Sequence, residues 1–365
     1  MKRLFIAGLL LGCATTPALA FTDADYATAM GATARNTIIP GYKSFQAAAD
    51  NLRDEAAALC AAPSAEQLAM TQNAFAATAT QWARLQFFTL GAISVHQRAA
   101  RIQYWPDKRN VVGRQLSDVL GKQDPAALAP ERFATTSVGV QGLPAMERLL
   151  FDNEALQAVA KDAPGAAFRC GVMKAIGDNL HTIAGDVLAD WTGGEKPMLD
   201  RIEHPDPNDE LMPSARDAAG RLLNDMLTTT IAVRDMKLLV ALGASLEKAK
   251  PQQAEFWRSG QSLAMVTANI EGLRDLFGND AGLAAMLRTT PGGDRIAKDF
   301  AAAIDAALAA KDKITLPLGE AAADAGQRPH VEELAVALVK LRDLLAGPVA
   351  ANLNLAIGFN ALDGD

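Results

Sequence analysis

The sequence predicts an all-α protein. Alanine and leucine dominate it, and few stretches alternate β-branched with polar residues, which favours helix over strand. Two stretches carry a clear helical period. Leu68, Phe75 and Trp82 recur every seven residues, with Leu85 three further on. Val331, Leu334, Leu338, Leu341 and Leu345 repeat the pattern near the other end. Both stripes read as core faces.

Lys2 and Arg3 form a positive start, Leu4 to Gly12 an apolar stretch, and Ala18-Leu19-Ala20 a small-x-small site. Residues 1–20 are therefore expected to be an export signal cut after Ala20. Leu10-Leu11-Gly12-Cys13 also resembles a bacterial lipoprotein cleavage box, which would leave a lipid anchor at Cys13. The apolar run is too short to span a bilayer and nothing later is long enough, so a mature chain in the periplasm or at the outer membrane is expected.

The first expected helix covers 41–61. The next begins at Ser64, where Ser-Ala-Glu-Gln67 fits a capping box. Pro106 and Pro144 each suit a first helical turn, because proline needs no donor there and its φ is preset. Asp107 then falls in a first turn, where the macrodipole favours it. Further helices are expected over 163–192, 214–243, 260–277 and 293–311, with Ser259 a candidate N-cap for the third. The last helix is expected to stop at Gly347-Pro348.

Removing 20 of 365 residues leaves 345, more than one core usually serves. Thr192 to Pro213 carries a glycine pair and four prolines among charged residues, which is linker chemistry. The expected division is an N-terminal helical domain over 21–192, a linker over 193–213 and a C-terminal helical domain over 214–365. Each half has long amphipathic helices and then a Trp-containing element, Trp82 and Trp105 in one and Trp257 in the other. A distant internal duplication would explain that arrangement.

Cys60 and Cys170 remain if Cys13 departs with the signal, an even pair in an oxidising compartment, and a disulfide between them is expected. Without Lys2 and Arg3 the mature chain has 33 basic and 42 acidic side chains, a balance of −9. That argues against a nucleic-acid partner. The four histidines, His96, His181, His204 and His330, never stand four apart, so a helical two-histidine zinc platform is absent. No Gly-x-Ser-x-Gly elbow or phosphate loop occurs.

Glu147 stands apart from this background. It shares a helical face with Leu143, Leu150 and Phe151, and a carboxylate on an apolar stripe must be paired, hydrogen-bonded or metal-bound. From the residues alone it is either a site residue or a member of a buried ion pair. The stretch Gly142-Leu-Pro-Ala-Met-Glu147 resembles the Gly-x-His-x-x-Glu signature of the imelysin-like peptidase family, with proline at the histidine position. Arg101 to Asn110, with Trp105-Pro106-Asp107, and Trp257-Arg258-Ser259 resemble further segments of the same family.

The resemblance spans nearly the whole mature chain. It implies two helical-bundle domains with a cleft between them. It also implies a site in which Glu147 and Asp107 are metal ligands, and Arg101, Trp105, Asp107, Gly142, Arg258 and Ser259 contact a ligand. Arg258 is expected to face Glu147 or Asp107 across the cleft, binding an anion or fixing a carboxylate's ionisation. Carboxylate ligation without histidine suits a hard metal cation, and the family favours iron. The expected function is an exported protein that binds a metal ion or small ligand in iron uptake or an iron-responsive envelope role, with no catalytic residues assigned. The alternatives are a metallopeptidase, for which Pro144 removes a ligand, and an envelope adaptor binding a partner protein.

Overall fold

A computed structural model describes residues 21–278 and 280–358. The expected export signal over residues 1–20, with Cys13, and the segment after Gly358 lie outside the described residues. Every regular element among the described residues is helical, and none is long and apolar enough to cross a membrane.

Helix α1 (Asp23–Thr33) runs through a π-helical segment, Ala34–Ile38, directly into α2 (Ile39–Ala61). Thr22 caps α1 in a reciprocal box with Asp25. Helix α3 (Ala65–Ala83) starts where Ser64 predicts, its Oγ accepting from the Gln67 amide at 3.1 Å. The Gln67 side chain does not complete the box. It turns away to the Glu55 carboxylate at 2.6 Å. Short helices α4 (Arg98–Ile102), α5 (Val111–Lys122) and α6 (Leu143–Phe151) precede the long α7 (Ala166–Thr192). Helix α2 packs between α3 and α7, and the Cys60–Cys170 disulfide ties the end of α2 to the start of α7, as the cysteine count predicts.

The segment 193–213, expected as a linker, carries α8 (Met198–Glu203) and packs closely. Met198, Ile202 and Met212 are buried, and α8 touches α1, α7 and the following helix α9 (Ala215–Ile231). The second half continues with α10 (Ser262–Phe277), α11 (Gly282–Arg288), α12 (Gly293–Asp312) and α13 (Arg328–Leu344). Helix α12 packs on α13, and α1 packs on α9 and α11, so the first helix of the chain belongs spatially with the second half. Helix α3 meets α10 where Gly272 has no side chain: a Cβ there would sit 2.3 Å from the Arg84 carbonyl oxygen. One continuous apolar cluster joins both halves.

Each half opens on a helix interrupted by a π segment, Ala34–Ile38 in the first and Ala232–Leu238 in the second. A third, Leu345–Val349, corrects the expected stop at Gly347-Pro348: the helix passes through Pro348 and ends at Asn352. A widened π turn relieves the contact between the proline ring and the carbonyl of the preceding turn, so the proline is absorbed.

Where the two halves meet near α9, Asp225 is 7% exposed and accepts the amide and hydroxyl of Thr89, both at 2.8 Å. Burial pushes its carboxyl up to about 7, against the lowering effect of the Thr89 donors and Arg221. The folded protein therefore holds this proton more tightly than the unfolded chain does, whose carboxyl stays near 3.8. The sign follows from linkage: the contribution is fully present below the unfolded value and is lost as pH rises through about 7. Urea unfolding should show stability falling between about pH 4 and 8 by at most about 4 kcal/mol from this group. Asp225→Asn should flatten most of that slope. Identical slopes in the two proteins would refute the assignment.

Candidate functional site

A cavity of about 1070 Å³ opens between the segment 103–112 and α6 of the first half and residues 235–258 of the second. Glu147 lies in its wall. Helix α6 begins after Gly142, which packs so tightly on the end of α4 that a Cβ would stand 2.1 Å from the Ile102 carbonyl oxygen. Pro144 occupies the first turn, as proposed from its sequence, and lines the cavity. Gly142 itself is buried and not among the lining residues, so its role is to let α6 approach α4.

Glu147 is 4% exposed. Its Oε1 accepts the Ser259 amide at 2.9 Å and the Ser259 hydroxyl at 2.8 Å. Its Oε2 has no hydrogen-bond donor among the described residues, although the residue faces the cavity. Burial raises its carboxyl above the ordinary value, and the Ser259 donors, Arg258 and Arg148 only partly offset this. Ser259 is thus no N-cap. Helix α10 starts later, at Ser262, and the turn that brings Ser259 back to Glu147 is closed by the Gln261 amide on the Phe256 carbonyl at 3.2 Å. Phe256 has φ +48°. A bulky residue in the left-handed region is strained, and such strain is held where the surroundings fix the chain for a task.

Arg258, from the second half, lines the cavity and favours the charged form of Glu147 electrostatically, while its guanidinium stacks 4.3 Å from the Trp257 ring and its Nε meets Asp152 at 3.2 Å. Arg148, next to Glu147, lines the cavity and reaches only the neutral Asn110 side chain. Trp105 lines the cavity too. Asp107 does not sit in a first helical turn. The chain around it is irregular, Asn110 takes φ +52°, and Asp107 reaches forward to accept the amides of Val111 at 2.7 Å and Val112 at 2.9 Å. It caps α5 from outside, and both its oxygens are occupied. Arg101 points elsewhere, donating to Gln141 at 2.6 Å and to Asn179, and is absent from the cavity wall.

Behind the Trp105 wall lies a network that the sequence did not announce. Lys237, fully buried on the second π segment, pairs with Glu255 Oε2 at 2.6 Å. It also donates to Gln86 Oε1 at 2.7 Å and Asn269 Oδ1 at 2.6 Å. Glu255, 1% exposed, accepts from Gln86 at 2.8 Å and Gln103 at 2.6 Å. The ammonium stands 5.6 Å from the Trp105 ring centre and 5.5 Å from that of Phe87. The only hint in the sequence was a lysine set in an apolar run, Met236 to Leu242.

This donor set does not fit a bare hard cation, which wants six or more oxygens. Among the described residues no group of three His, Cys, Asp or Glu side chains converges. Asp107 is occupied by two amides, and Glu147 is flanked by Arg148 and Arg258.

The imelysin family profile matches residues 38–345 of the chain. No curated protein matches the sequence at a significant level. An imelysin-like protein of Psychrobacter arcticum shares the fold with a TM-score of 0.77 at 21% identity, over 94% of this chain and all of that one. A protein of Parabacteroides distasonis, named as a candidate iron-regulated protein A precursor, does so with a TM-score of 0.76 at 15% identity, over 92% and 96% of the two chains.

Proposed function

The chain belongs to the imelysin family, and from that premise we propose that it binds a small organic molecule in the cleft between its halves and acts after export to the cell envelope. One observation carries this reading. A carboxylate that is 4% exposed keeps one oxygen in a two-donor cradle and leaves the other without a donor, in the wall of a cavity of about 1070 Å³. The open oxygen faces the cavity, so a donor group on a ligand could complete it. The volume and the largely aromatic and aliphatic wall, with a few convergent polar groups, match the general character of ligand pockets. The flanking arginines favour an organic partner over a naked metal ion. The Parabacteroides relative's name supports an iron-responsive setting, in which iron would arrive as part of a chelate and not as a bare ion. Residues 1–20 support export.

Native mass spectrometry of the mature protein, isolated gently from its own envelope, tests the proposal. A non-covalent organic adduct is expected, lost in Glu147→Gln. In parallel, ferric, ferrous, calcium and zinc titrations should show no stoichiometric site that depends on Glu147. Stoichiometric ion binding abolished by Glu147→Ala would replace this reading with a metal site.

A further inference from the structure

We propose that the cleft ligand carries an amino-acid-type head, one ammonium and one carboxylate, on a large apolar body. This rests on the reading that the cleft binds a small organic molecule, and it names the kind.

Most charged groups of the cavity wall already have partners or are screened by water. Asp107 is held by two helix amides, and Asp235 is paired with Arg234. Arg258 is matched by Asp152 at 3.2 Å. Lys108 and Lys250 are exposed at the rim, where water and salt screen them. Two groups remain incomplete, and they are sequence neighbours on α6. Glu147 has one oxygen without a donor, and Arg148 has a neutral amide oxygen but no carboxylate within ion-pair reach among the described residues, feeling Asp152, Asp107 and Glu147 only from beyond that reach. A bare cation would suit Glu147 and be repelled by Arg148. A simple anion would suit Arg148 and be repelled by Glu147. A molecule with an ammonium and a carboxylate on neighbouring atoms satisfies both through charge-assisted hydrogen bonds and keeps the site neutral.

The rest of the cavity fixes the body. Trp105, Phe256, Met236, Leu239 and Val240 make one side apolar. A cavity of about 1070 Å³ leaves far more room than an amino-acid head fills. An α-amino acid with a long or polycyclic apolar substituent fits both features.

Three fluorescent probes separate the parts: ε-dansyl-lysine has both head charges, dansyl-cadaverine only the ammonium, and dansyl-aminohexanoate only the carboxylate. Titrated into the full mature protein, dansyl-lysine should bind roughly tenfold or more tighter than either. Glu147→Gln should erase its advantage over the carboxylate probe and leave that probe's binding unchanged. Arg148→Gln should do the converse with dansyl-cadaverine. A variant that failed to fold would lose all three probes alike, so the crossed pattern is its own control. Equal binding of the three probes, or variants that shift all three together in folded protein, would overturn the assignment. No binding of any probe would also overturn it. In that case an envelope-derived adduct on wild type would keep the cleft reading alive, and its absence would remove both.

Discussion

Lys237→Met is expected to lower the unfolding free energy by roughly 3–5 kcal/mol. The lysine is fully buried and Glu255 is 1% exposed, so the substitution leaves a carboxylate deep in the protein with its counter-ion gone. Burial alone pushes the ammonium's pKa down and Glu255 opposes that, so the pair is held by mutual neutralisation. The loss would not stop at the pair. Gln86 and Asn269 each present an oxygen to the ammonium, and Asn269 also donates to the Ala83 carbonyl at 2.7 Å, where α3 ends. Gln103, which donates to Glu255, and Trp105, whose ring faces the ammonium, are both in the cavity wall. The double variant Lys237→Met with Glu255→Gln removes both charges and should recover more than half of the loss, because neutral replacement of a buried pair is far cheaper than breaking it. Urea melts of the three proteins decide the matter. A cost below about 1 kcal/mol in the single variant, or no recovery in the double, would mean that the pair does not anchor the network reaching Gln86 and Gln103 of the first half.

What the sequence could reveal and what it could not divides along contact range. The Leu68-Phe75-Trp82 stripe and the Ser64 cap are local, and helix α3 forms where they predict it. The cysteine pairing needed only a count and a compartment, and it is present. Glu147 was legible because a carboxylate on an apolar face demands an explanation. Its partner was not legible from Ser259's own neighbourhood, where a serine ahead of a helix reads as a cap. The family resemblance groups it with Glu147 among the expected contacts, and the fold brings the two side chains together. The error at Asp107 has a similar cause: Pro106 looks like a helix start, but the left-handed Asn110 breaks the chain before Val111, so the carboxylate caps from four residues upstream. The π segments and the Lys237 network lay beyond reach. The lysine's contacts span 151 residues to Gln86 and 32 to Asn269, and no periodicity records a polar cluster assembled from separate helices.

The double replacement Cys60→Ser and Cys170→Ser should cost about 5 kcal/mol in oxidising buffer, through the unfolded state more than through the folded one. The bridge spans 110 residues, and closing so long a loop removes much of the freedom that the unfolded chain would otherwise have. In the folded protein the two ends are held by other means, since α2 and α7 pack along their lengths. The variant should therefore keep its helical content and its cavity while its urea midpoint falls. It should also unfold to a more expanded ensemble, with a larger m-value than wild type. The closed loop contains Trp105, Asp107 and Glu147, the first-half contribution to the site, while Arg258 and Ser259 lie outside it. If the bridge acts only on the unfolded chain, cleft binding by the folded variant stays within about twofold of wild type even as stability drops. Weaker binding in step with the stability loss, at temperatures where the variant is fully folded, would instead mean that the disulfide also holds α6 in register against the second half. An unchanged m-value would point the same way, because it would place the lost free energy in native contacts.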